Sequence, residues 1–132
     1  MTSLDTNIVV RVVTGDDPEQ LEQALTAMRS QALWLSKSVL LETEWVLRYS
    51  YKISPAVIQE TLRRLLGLSN LTVEDRQAVL TALDWFAGGM DFADALHLAS
   101  SRKADEFVTF DQPLAKKGAS LETSPPVRLL SS

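Results

Sequence analysis

Apolar positions recur in two rhythms along this chain. Short apolar runs alternate with longer stretches whose apolar side chains fall at helical spacing. Residues 2–4 predict a first strand, and residues 7–13 a helix ended by Gly15. Asp17-Pro18 opens a second helix running to about Arg29, with Pro18 suited to its first turn. Residues 33–35 predict a strand and residues 39–51 a helix; Ser54-Pro55 then caps another helix reaching about Leu68. These two helices form a hairpin, the second with Val57, Ile58, Leu62, Leu65 and Leu66 at helical spacing. Residues 71–73 predict a strand, residues 76–87 a helix broken by Gly88-Gly89, and residues 91–102 an almost wholly apolar helix. Residues 106–110 predict the clearest strand, residues 114–117 a short helix ended by Gly118, and residues 127–130 a final strand.

Strands separated by helices imply an α/β fold with a parallel sheet covered on both faces. In such sheets, sites gather outside the carboxyl ends of the strands. Four carboxylates are placed to meet there. Asp5 and Asp111 each follow a predicted strand, while Glu42 and Asp94 lie in early turns of predicted helices. Each sits in or beside a run that reads as core, where a carboxylate is costly unless paired or holding a metal. Singly they have ordinary readings. Asp5 and Asp111 suit helix caps. Glu42 suits a solvated helix face, as Glu44 does. Asp94 suits an exposed strip shared with Asp91 and His97. Together they read as one cation site. Carboxylates ~5 Å apart at an effective dielectric near 20 repel by about 3 kcal/mol per pair, which a divalent ion removes. With no Cys and one His in the chain, oxygen ligation favours Mg²⁺ or Mn²⁺ over zinc.

Composition narrows the class. The chain has 132 residues, 45% of them apolar and 23% charged; it suits one domain, residues 1–132. The lack of cysteine excludes disulfides and fits a cytoplasmic protein. No apolar run has the ~20 residues of a membrane helix, and the N-terminus does not read as a signal peptide. A net charge of −4 argues against a nonspecific nucleic-acid coat, though not against an enzyme that reaches phosphate through a metal. Trp45, Trp85 and Phe86 read as core. Lys116-Lys117 and Arg63-Arg64 read as solvated faces, and His97 as a surface group. Arg11, near Asp5, is a weak phosphate candidate.

The chain resembles the PIN-domain ribonucleases, and most closely the VapC-type toxins of toxin–antitoxin pairs. Leu4-Asp5-Thr6-Asn7 is similar to the family's opening motif, and Leu41-Glu42-Thr43-Glu44-Trp45-Val46-Leu47 to the helical motif carrying its Glu, with spacing that selects Glu42 over Glu44. Asp91-Phe92-Ala93-Asp94-Ala95-Leu96-His97-Leu98-Ala99 resembles the third motif, and Val108-Thr109-Phe110-Asp111 the last. The resemblance implies a three-layer α/β/α fold with a short parallel central sheet. It implies metal-dependent hydrolysis of RNA with Mg²⁺ or Mn²⁺ held by Asp5, Glu42, Asp94 and Asp111. Asp91, Thr109 and Asn7 become accessory positions. It also implies a homodimer and a cognate antitoxin.

Two other classes compete. A phosphoacceptor would use Asp5 as nucleophile, but position 7 is Asn where a phosphatase needs Asp. A noncatalytic scaffold would keep the acids for folding alone. On the partner side, the hairpin carries more apolar side chains than it can easily bury. Trp45, Tyr49 and Tyr51 on one arm, with Val57, Ile58, Leu62 and Leu65 on the other, are expected to leave a groove for an amphipathic helix; the alternative is that they pack internally.

Overall fold

The computed structural model describes residues 1–29 and 31–131. It is mixed α/β, with seven helices and short parallel strands among the described residues, consistent with a PIN-like α/β/α fold. The chain divides into two compact units, residues 1–74 and 75–132.

The first unit holds a parallel sheet ordered β1 (Thr2–Ser3), β2 (Leu33–Leu35), β3 (Leu71–Val73). Thr2 pairs with Leu33, and Leu33 with Leu71. Two helices cross over between each pair of neighbouring strands: α1 (Thr6–Thr14) and α2 (Pro18–Met28), then α3 (Lys37–Tyr49) and α4 (Pro55–Leu66). Local sequence sets their starts. The side chains of Asp17, Ser36 and Ser54 accept backbone N–H bonds at the openings of α2, α3 and α4. Pro18 and Pro55 occupy first-turn positions, where no N–H is needed. Leu33, Leu35, Leu40, Leu47, Ile58, Leu62 and Val9 are all but inaccessible to solvent and form this unit's core.

The second unit packs α5 (Arg76–Ala87) against α6 (Phe92–Ala99). Ala78, Ala82, Ala95 and Ala99 are buried among Val79, Leu83 and Leu98. Phe86 meets Phe92 edge-on, with ring centroids 5.4 Å apart. A separate parallel pair, β4 (Phe107–Thr109) and β5 (Val127–Leu129), flanks α7 (Gln112–Ser120).

Every predicted element forms; β2, β3 and α5 keep the predicted bounds and the others shift by one to three residues at their ends. Helix α7 does not stop at Gly118 but runs through it. Gly118 is buried, and a Cβ there would stand 2.6 Å from Val127 Cγ2. The glycine is a point of close approach between α7 and β5, not a helix stop. Two expectations about aromatic and apolar residues change as well. Trp45 is 55% exposed, so it is not core; Trp85 is half-buried and Phe86 buried. The expected hairpin groove is mostly filled, since Ile58, Leu62 and Leu65 pack inside. Tyr51 is held by its hydroxyl, which donates to Asp16 Oδ2 at 2.7 Å and accepts from Arg11 at 3.1 Å. What remains exposed is Trp45, Tyr49 and Val57.

Candidate functional site

In the first unit, Asp5 lies two residues past the end of β1 and caps α1, its carboxylate accepting the Thr6 N–H at 2.8 Å. The next parallel strand, β2, leads through Ser36 into α3, which carries Glu42. Both acids therefore lie beyond the carboxyl ends of adjacent parallel strands. Both are exposed to solvent, and Asn7 beside Asp5 is exposed too.

Glu44 behaves differently from the expected solvated residue. It is 1% exposed, and its Oε2 lies 2.8 Å from Arg48 Nε, one helical turn on. Arg48 also donates to Oε1 at 3.1 Å and covers the Tyr49 ring at 4.8 Å. The two-residue offset from Glu42 turns Glu44 toward the core face of α3, alongside buried Thr43 and Leu47. The apolar letters around Glu44 were a signal of that burial, and Arg48 at i+4 a signal of its partner. Arg11, the weak phosphate candidate, is engaged: its guanidinium donates to Gln20 Oε1 at 2.5 Å and approaches Asp16 at 3.3 Å.

The second unit gathers three acids on one cleft of about 160 Å³, lined by Asp91, Asp94, Asp111, Lys117, Gly89 and Leu114 among others. Asp91 caps α6, accepting the Asp94 N–H at 3.2 Å, which leaves Asp94 in the first helical turn. Asp111 caps α7, accepting the Leu114 N–H at 3.0 Å. Its own N–H donates to Thr109 Oγ1 at 3.0 Å, so Thr109 fixes the backbone from which Asp111 projects. Asp94 is half-buried. Burial first, then the neighbouring charges of Asp91 and Asp111, hold its carboxyl above the ordinary carboxylate range, with His97 opposing. His97 itself is exposed near the end of α6.

Lys117 is the residue whose place the solvated-face reading missed. It is half-buried at the cleft and donates to the Gly88 carbonyl at 3.4 Å. The helical spacing of Lys117 from Leu114 was its only sequence signal. Among the described residues, no three His, Asp or Glu side chains stand close enough to form a ready-made metal cage.

A family model described as PIN domain matches residues 3–119. The chain belongs to the PIN-domain family. Members of this family are generally nucleases, so the acids of this PIN domain belong to a fold used for phosphodiester hydrolysis. No curated protein matches the chain. No helix among the described residues is long and apolar enough to cross a membrane.

The donor set of this PIN domain suits a hard divalent cation. Its grouped acids offer only carboxylate oxygen, and in the second unit burial and then the charges of Asp91 and Asp111 raise the Asp94 carboxyl, so that ionised Asp94 meets like charge. A bound cation removes that repulsion.

Proposed function

We propose that this PIN domain is an endoribonuclease that hydrolyses RNA phosphodiester bonds with Mg²⁺ or Mn²⁺. The observation that carries the reading is the cleft that gathers Asp91, Asp94 and Asp111, where burial first and then the two neighbouring carboxylates raise the Asp94 carboxyl. Carboxylates crowded in this way favour a bound cation. Asp5, Glu42, Asp94 and Asp111 would hold the ion, with Asp91, Thr109 and Asn7 in accessory places. When bound, the ion supplies Lewis-acid activation of the phosphate and of the attacking water. The chain's own part is positional. The Leu114 N–H orients Asp111, Thr109 braces its backbone, and Asp91 fixes the start of the helix that presents Asp94. One of the four carboxylates orients the attacking water.

The two units together form one domain in this reading, a view supported by a family match that runs through their boundary at residues 74 and 75. The protein acts in the cytoplasm as the toxin of a type II toxin–antitoxin pair. It forms a homodimer and is silenced by its antitoxin. Exposed Trp45, Tyr49 and Val57 on the helical hairpin support a partner surface.

The lack of a ready-made cage among the described residues favours a second reading, a noncatalytic PIN scaffold. One experiment separates the two. RNA ends are mapped after expression of the chain alone in cells, beside the Asp94→Asn variant. New ends that vanish in the variant support the nuclease. Identical ends in both, with Mn²⁺ binding demonstrated by calorimetry, support the scaffold. Co-purification of a small protein from the native cells, with activity restored on its removal, tests the toxin assignment.

A further inference from the structure

We infer that Lys117 is a phosphate-contacting residue, a cation built into the acidic cleft to receive the RNA backbone; the inference rests on the nuclease reading above. Lys117 reaches the cleft of Asp91, Asp94 and Asp111 from the far part of α7. Two features hold its ammonium there rather than in bulk solvent. The Gly88 carbonyl accepts from it at 3.4 Å. Next to that carbonyl, Gly89 adopts φ +101°, and a Cβ at Gly89 would stand 3.0 Å from Lys117 Nζ. The Gly88-Gly89 turn thus supplies both an acceptor and the room for the ammonium. Buried Met90 and Leu114 form apolar floor beneath it, which leaves the charged end toward the open side of the cleft.

Charge balance gives this cation a task. The acids grouped at the proposed ion outnumber its two positive charges, so the cleft still repels the −1 of a phosphodiester. Lys117 offsets part of that excess, so that a phosphate can approach. An ammonium with three donors, held beside the carboxylates by a backbone carbonyl, suits a phosphate oxygen.

The test uses the full chain and a fluorescent, single-stranded RNA in Ca²⁺ buffer, where a hard cation fills an oxygen-ligand site but activates water weakly; cutting is read separately in Mg²⁺. Its affinity is measured against salt in that Ca²⁺ buffer for wild type, Lys117→Met and Lys117→Arg. Mn²⁺ affinity and melting temperature are measured in parallel. The Lys117→Met variant should bind about fivefold more weakly, the worth of one lost hydrogen bond. It should also lower the slope of log affinity against log salt by about 0.7, one single-strand phosphate contact. Lys117→Arg should retain the slope. Mn²⁺ should bind Lys117→Met as tightly as wild type or more tightly, since a like charge has gone. An unchanged slope with a lowered melting temperature makes Lys117 a mere brace for the turn and overturns the inference. Unchanged binding does the same while leaving the nuclease reading intact. Wild type that neither binds nor cuts RNA overturns both.

Discussion

Two partly or wholly buried carboxylates of this protein live in opposite electrostatic company. Glu44, in the first unit, is 1% exposed and has the Arg48 guanidinium 2.8 Å away. Asp94, in the second, is half-buried, and its largest charged influences are two more carboxylates. The first carboxylate has a cation built into its own helix. The second is set chiefly against Asp91 and Asp111, with His97 opposing and Lys117 on the same cleft, an arrangement that raises its carboxyl. A fold that is only being stabilised would pair both. In the nuclease reading proposed above, the contrast separates a structural charge from one kept for chemistry.

The comparison breaks most visibly at Glu44. Glu44→Ala should cost about 3–5 kcal/mol of stability in urea unfolding, because it leaves Arg48 poorly compensated beside the core. A loss under about 1 kcal/mol would mean that solvent screens the pair, as it does on surfaces.

Asp94→Asn should act the other way. RNA hydrolysis is expected to fall at least ~100-fold, about 3 kcal/mol of transition-state stabilisation, while the unfolding midpoint stays or rises slightly. Mn²⁺ should raise the wild-type melting temperature and raise that of Asp94→Asn less. The acid dependence has a definite sign. The Asp94 carboxyl is raised in the folded state, so its ionised form disfavours folding. Its contribution to stability improves as pH falls through the raised folded pKa toward the ordinary carboxylate range. Mn²⁺ affinity should fall over that same window, since protonation competes with the ion. Calorimetric titrations at several pH values check both signs, and a Mn²⁺ affinity that does not weaken on acidification would remove Asp94 from the ligand set.

Gly118→Ala sharpens the second half of the contrast. The new methyl would stand 2.6 Å from Val127 Cγ2, an overpacking expected to cost about 1–3 kcal/mol. Because α7 is capped by Asp111 and carries Lys117, activity should drop more than thermal stability alone explains. Equal activity at a temperature well below melting would show that the cleft tolerates the shift. The smallest effect is expected at Trp45→Ser. With a side chain 55% exposed, it should change stability by less than about 1 kcal/mol, one residue along from Glu44 on the same helix. A larger loss would mean that Trp45 is covered in the working protein.

Much of this molecule was legible in order. The openings at Asp17 and Ser54, the first-turn prolines and the apolar rhythm marked the elements, because these depend on residues within a turn or two. The acids Asp5, Glu42, Asp94 and Asp111 were legible as outliers among apolar neighbours. Glu44 was misread because a helix face is decided by what packs against it. Spacing says that Glu42 and Glu44 diverge, but not which of them meets the core.

The sequence by itself determined the α/β order, the family and the identity of the candidate acids. All of these are carried by local pattern and motif. Only the tertiary structure decided that Glu44 is buried with Arg48, that Leu62 fills the core while Trp45 faces solvent, and that Gly118 admits Val127. It also decided that Lys117 joins Asp91, Asp94 and Asp111 on one cleft. The physical reason is range. Caps and helical periodicity act over a few residues. Burial, close approach and charge crowding are set by segments distant along the chain, and no local window contains both partners.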